Sequence, residues 1–215
     1  TRVLPARLLG RRIPGGGAAE VLLLSPVSQD LCCWRALVRP GRRLRAGSAV
    51  EVGGRALRIE ACEDDGVRVV RVGEGRRDVL IFLDAFGHVP LPPYIRSEGD
   101  WREAYQTVFA QRDGSVAAPT ASLHFTPGLL DAIDAMGVHR AWVTLHVGLG
   151  TFRPVKAEDI REHVIHEEPC EVPEATVRAV RECRRRGGRV IASGTTVVRT
   201  LESMTAGGGE VRSGL

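Results

Sequence analysis

The chain is nearly devoid of lysine: Lys156 is the only one among its 30 Lys and Arg residues, so its positive charge is arginine charge. Aromatic residues make up just 5% of it, too few for a surface that stacks successive bases of a single strand. No apolar run approaches the ~18 residues needed to cross a bilayer, and no cleavable leader pattern opens the sequence. A cytoplasmic protein with no membrane partner is therefore expected. The cysteines Cys32, Cys33, Cys62, Cys170 and Cys183 show neither C-x-x-C spacing nor a His pair at zinc-finger distance. This argues against a metal or dithiol redox centre and for reduced structural thiols.

What is present is ordinary for a globular protein. The 215 residues allow one or two domains, and an apolar content of 43% can fill a core. The chain opens at Thr1 and stops shortly after a glycine run at 207–209, which reads as part of a longer polypeptide. Charge is uneven: residues 1–88 carry a net +5 and residues 89–215 a net −1. Within the first half Arg39, Arg42, Arg43 and Arg45 crowd around the turn Pro40-Gly41. That cluster is either a solvated loop or a set of guanidinium groups for a phosphate backbone.

Organisation changes near residue 88. Before it, short β-rich runs at 2–9, 20–24, 33–38, 49–52, 56–61 and 67–72 are divided by glycine-rich turn signals. Six such runs predict a small antiparallel β-barrel or sandwich over residues 1–88. Residues 78–86 fit a closing strand or a short helix equally well. The prolines Pro90, Pro92 and Pro93 then make a stiff linker, and residues 89–215 alternate helix with strand as an α/β domain. The expected fold class is thus α/β plus β, a small antiparallel β-barrel module joined to a larger α/β domain.

In that second domain, Thr126 suits an N-cap and Pro127 a first helical position, with Leu129, Leu130, Ile133 and Met136 at helical spacing and Gly137 as terminator. Residues 141–147 read as a strand that delivers His146 to its carboxyl end. A second helix starts at Pro173, with Val177 and Val180 inward. Residues 189–192 read as a short buried strand, followed by the turn Ser193-Gly194-Thr195-Thr196 and a third helix with Val197, Val198, Leu201 and Met204 inward. That turn either caps the helix through Thr195 or Thr196, or offers its N–H groups to an anion or a ribose, with Arg199 one turn later. The string His163-x-x-His166-Glu167 could mimic a metal site, but it lacks a third soft ligand and suits a surface or substrate-edge role better.

The strings Pro90-Leu91-Pro92-Pro93-Tyr94-Ile95, Tyr105-Gln106-Thr107-Val108, Leu123-His124-Phe125-Thr126, those over 114–121 and 143–155, and residues 194–203 resemble the S-adenosylmethionine:tRNA ribosyltransferase-isomerases of the queuosine pathway. Where that family has Gly, this chain has Ser122, and the family's opening segment and its Asn-Phe-His carboxyl-terminal segment are missing from it. The resemblance implies a two-domain enzyme acting on a tRNA anticodon that contains 7-aminomethyl-7-deazaguanine. It would consume S-adenosylmethionine as ribosyl donor, form epoxyqueuosine, release adenine and methionine, and need no metal. A monomer is expected.

Such chemistry needs a base near neutrality to take a proton from the ribose 5′ carbon beside the sulfonium, and histidine suits it. His124 and His146 are the candidates, each alternatively a structural histidine bonded to a backbone carbonyl. Thr120 and Thr151 could hold ribose hydroxyls, while Gly148 and Gly150 permit close approach of backbone. Phe152 either joins the core or stacks on adenine. Arg153 could hold a carboxylate or phosphate, and Tyr105 and Gln106 could read the deazaguanine. These assignments expect His124, His146 and the bend at 194–196 to converge on one nucleoside-sized hollow. Two rival readings are a noncatalytic tRNA- or RNA-binding protein and, from the loop 147–151, a S-adenosylmethionine-dependent methyltransferase. Pro154 comes too early for the helix that the second one needs.

Overall fold

The computed structural model describes residues 1–92, 95, 101–148, 159, 161, 168–206 and 210–214, with the backbone alone for 113, 206 and 210. The chain forms two compact units, Val3–Ala104 and Thr1–Arg2 with Tyr105–Leu215. The fold is a small antiparallel β-barrel module joined to a region in which helices alternate with short strands.

Alternation of apolar and polar residues builds the barrel. After the two-residue strand β1 (Arg2–Val3), the strands β2 (Arg7–Ile13), β3 (Ala18–Pro26), β4 (Cys33–Arg39), β5 (Ala49–Val52), β6 (Arg55–Cys62) and β7 (Val67–Arg71) pair antiparallel in the order β3-β4-β7-β6-β5-β2. A further β2–β3 pairing closes the ring, which removes free edges. The expected run at 2–9 is split, because Pro5 cannot donate to a ladder and the chain resumes pairing only at Arg7. Every second side chain points inward: Leu8, Val21, Leu23, Trp34, Ala36, Val50, Leu57, Ile59 and Val70 are all buried. In register, Trp34 lies across from Val70, and Val70 across from Ile59. Each buried Val, Leu or Ile among them contributes about 1.5–3 kcal/mol of burial free energy.

The ambiguous stretch at 78–86 belongs to helix α1 (Arg76–Phe86), which buries Val79, Phe82 and Leu83. Asp78 in its first turn accepts hydrogen bonds from Arg55 and from the Glu74 N–H, and Arg55 stacks over Phe82. Strand β8 (Gly87–His88) then pairs with β2.

The second unit contains β9 (Asp113–Ser115), a 3-10 turn (Thr120–His124), α2 (Pro127–Ala135), β10 (Thr144–Leu145), β11 (Cys170–Glu171), α3 (Glu174–Arg185), α4 (Thr195–Ser203), β12 (Thr205–Ala206) and β13 (Glu210–Val211). The side chain of Thr126 does cap α2 by accepting the Leu129 N–H, and Gly137 follows with φ +74°. Of the expected inward face of α2, Leu130 is buried, whereas Leu129 and Met136 are exposed. Val177 and Val180 of α3 pack with Val172 and Val211, joined by Val143, Leu201 and Met204. Val198 is exposed instead of inward. The strand expected at 141–147 is reduced to Thr144–Leu145, which pairs with Cys170–Glu171. Residues 189–192 form no strand; Val190 and Ile191 are exposed, and the described residues place no ladder partner beside them. Among the described residues no helix is long and apolar enough to cross a membrane. All five cysteines are free thiols.

Candidate functional site

The best-defined polar constellation surrounds His146. Leu145 and Val147 on either side of it are buried against Ala117 with Val143 and Cys170, so the alternation of the strand turns the imidazole to the other face. Its Nδ1 lies 3.2 Å from the carbonyl oxygen of Gly114. A carbonyl only accepts, so Nδ1 is protonated in this contact, and in the neutral form of the ring the lone pair is on Nε2. Gly114 has φ +134°, and a Cβ there would lie 2.7 Å from Nδ1. The contact therefore requires glycine on two counts, backbone conformation and space.

A chain of hydroxyls fixes the backbone around the ring. The Val147 N–H donates to Ser115 Oγ at 3.1 Å, and Thr1 Oγ1 donates to the Leu145 carbonyl at 2.7 Å. With Thr1 thus engaged, the short bond between Ser115 and Thr1 is donated by the serine hydroxyl. Ser115 is fully buried, and each of its bonds lands on this network. The Val116 N–H donates to the Val147 carbonyl at 3.1 Å, and the His146 N–H to the Pro169 carbonyl at 3.0 Å. His146 is consequently held through both its main chain and its ring.

Gly148, half-buried, continues from this strand end. Its N–H donates to Glu168 Oε1 at 2.8 Å, while Glu168 Oε2 accepts from Arg199 of α4 at 3.1 Å. The carboxylate is 6% exposed and Arg199 38%. The start of α4 lies against the 3-10 turn: Gly194, with φ +89°, approaches Ala121 so that a Cβ on it would be 3.3 Å from the alanine methyl. Gly194 itself is the N-cap and no side chain caps α4, so neither Thr195 nor Thr196 plays that role. The first-turn N–H groups of α4 have no side-chain cap, and at this helix start, where Thr195 is exposed, the dipole favours an anion. Thr196 is half-buried, and its carbonyl accepts from Thr200 Oγ1.

The segments carrying the two histidines are thus each tied to α4, one through Ala121 and Gly194, the other through Glu168 and Arg199. The side chains differ in setting. His124 and Thr120 are exposed at the ends of the 3-10 turn, whereas His146 is half-buried and anchored. Tyr105 is 4% exposed, and Gln106 half-buried. Cavities of about 380 and 170 Å³ occur elsewhere in this unit, one lined by residues 134–142, the other by α3, α4 and Val211. Neither is lined by His124 or His146. Gly150, Thr151, Phe152 and Arg153 lie outside the described residues, as do His163, His166 and Glu167.

In the barrel unit Arg39, Arg42, Arg43 and Arg45 are all exposed around a 3-10 turn (Gly41–Arg43). Arg68 holds that turn from below, donating to the carbonyls of Gly41 at 3.1 Å and Leu44 at 2.9 Å. Arg7, Arg35 and Arg71 on the barrel wall each pair with a glutamate, but among the described residues these four arginines have no carboxylate partner.

Sequence reasoning missed Ser115 and Glu168, and it singled out Gly114 only as the start of a motif. A small pair before Val116-Ala117-Ala118 was the available signal for the first. Glu168 had none, since its partners lie 20 and 31 residues away.

The queuosine biosynthesis protein family model matches residues 1–214. Among solved structures, an S-adenosylmethionine tRNA ribosyltransferase from Thermotoga maritima is 30% identical over 94% of this chain and 52% of its own, with a TM-score of 0.34. The chain thus spans about half the length of that relative. On the strength of the family match over nearly its whole length, the chain belongs to the queuosine biosynthesis protein family.

Proposed function

We propose that this protein serves in the transfer of the ribosyl part of S-adenosylmethionine to 7-aminomethyl-7-deazaguanine at the wobble position of tRNA, with formation of epoxyqueuosine and release of adenine and methionine. Membership of the queuosine biosynthesis family supports this reading. The observation that carries the assignment of residues is the Gly114–His146 contact, which engages Nδ1 and leaves Nε2 as the ring nitrogen turned to a substrate.

When bound, S-adenosylmethionine supplies a sulfonium that acidifies the adjacent 5′ carbon. His146 accepts the proton from that carbon on Nε2, and Gly114 stabilises the imidazolium by keeping its carbonyl on Nδ1–H. His124, exposed at the end of the 3-10 turn, serves at the substrate edge. The uncapped start of α4, with Thr195 and Thr196, holds donor hydroxyls or its carboxylate. Gly148 and Gly150 let backbone approach the donor closely, Thr151 holds a ribose hydroxyl, Phe152 stacks on adenine, and Arg153 holds the donor carboxylate or a tRNA phosphate. Tyr105 and Gln106 support recognition of the deazaguanine, and Arg39, Arg42, Arg43 and Arg45 hold tRNA phosphates.

The test is adenine release measured with donor alone, with tRNA alone, and with both. Release that needs both donor and tRNA carrying the aminomethyl base supports the proposal. Binding of that tRNA without adenine release would instead make the protein a noncatalytic tRNA binder.

A further inference from the structure

Glu168 is a buried carboxylate for which the chemistry above has no use. Only 6% of its side chain is exposed, and a carboxylate that deep needs partners for its charge. Both oxygens have one: Oε1 takes the Gly148 N–H at 2.8 Å and Oε2 takes Arg199 Nη1 at 3.1 Å.

The surrounding backbone explains why a side chain is needed there. Leu145 pairs with Cys170 in the β10–β11 ladder, and the His146 N–H reaches the Pro169 carbonyl. At the next rung the ladder has ended, and Glu168 continues it with its side chain, capturing Gly148 two residues past His146. Its second oxygen carries the restraint on to α4. The His146 strand end and the middle of α4 are thereby locked to one group.

We infer that Glu168 is a positioning residue for the proposed reaction, fixing the 146–148 strand end against α4 through Gly148 and Arg199. The effect on turnover rests on the function proposed above; the anchoring itself does not.

Two variants test this. Glu168→Ala removes both acceptors. Glu168→Gln keeps the volume but has one neutral oxygen, so either Gly148 or Arg199 is left facing the amide N–H₂. Hydrogen exchange at the Gly148 amide, kcat and donor KM are measured for each.

Glu168→Ala is expected to speed Gly148 exchange about 10-fold, as loss of one hydrogen bond should. It is expected to lower kcat about 10- to 100-fold with donor KM within about twofold, the pattern of a lost supporting partner. Glu168→Gln is expected to fall between Ala and the parent on both readouts, and it carries the test if the alanine variant does not fold. Unchanged exchange in either variant overturns the inference. So does a raised KM at constant kcat, which would make Glu168 a donor contact. If the parent itself releases no adenine, the function proposed above fails, while the exchange measurement still decides whether Glu168 anchors the strand end.

Discussion

In the barrel unit, six strands satisfy one another's backbone groups in a closed ladder, and the interior is apolar from Leu8 to Val70. In the second unit the strands are two or three residues long, and side chains complete the backbone bonding: Ser115 for Val147, Glu168 for Gly148, and Thr176 for both the N–H and the carbonyl of Trp142. A ladder shares its load over many bonds, so its surface can vary without moving its core. Where one hydroxyl or carboxylate holds a strand end, a single substitution moves the group that strand carries. Barrel changes should therefore register as stability, and changes near His146 as chemistry.

The largest expected effect lies in the barrel. Trp34 is 2% exposed, and its indole N–H donates to the Leu31 carbonyl at 2.7 Å. Trp34→Ala should cost about 3–5 kcal/mol in urea unfolding of the barrel transition. A cost below about 1 kcal/mol would mean that the barrel core does not carry its fold.

Next comes Gly114→Ala, which leaves His146 chemically intact but drives a methyl into its Nδ1 and strains a residue at φ +134°. Turnover should fall about 10-fold or more through misplacement of the ring. Full turnover with only a lowered melting temperature would erase the contrast between the two units. Smaller still is the joint change Arg42→Ala and Arg43→Ala, expected to flatten the slope of log Kd for tRNA against log salt by about 1 to 2 while donor binding stays constant. An unchanged slope would return this cluster to a solvated loop.

The smallest effect concerns pH. The Arg55 guanidinium and the Glu74 N–H hold the Asp78 carboxyl below the usual carboxylate range. A depressed folded value stabilises above the unfolded value, near about 4, and that contribution is lost as pH falls through the folded one. Asp78→Asn should therefore be less stable than the parent at neutral pH and lose less stability on acidification below about pH 4. Parallel acid-unfolding curves for the two proteins would contradict the assigned partner.

Much of the barrel could be read from sequence because period-two alternation is local: each of the six runs carries its own evidence of an inward face. Helix starts were legible for the same reason, as Thr126 and Pro127 show. The second unit was harder. Residues 189–192 have strand composition, yet pairing depends on a neighbour that composition does not reveal. Val198 and Met136 sit at core spacing but face solvent, because periodicity reports a stripe and not what covers it. Of the site, His146 was legible as a polar residue at a strand end before glycine. Its tautomer was not, since that depends on a carbonyl 32 residues away.

The sharpest measurement uses S-adenosylmethionine deuterated at the ribose 5′ carbon, with turnover followed in the parent and in His146→Gln. A neutral imidazole acting as base predicts a primary isotope effect on kcat/KM in the parent and a loss of about 100-fold or more in His146→Gln, with donor affinity retained. Equal turnover in the two proteins, with the same isotope effect in each, would show that another group takes the proton.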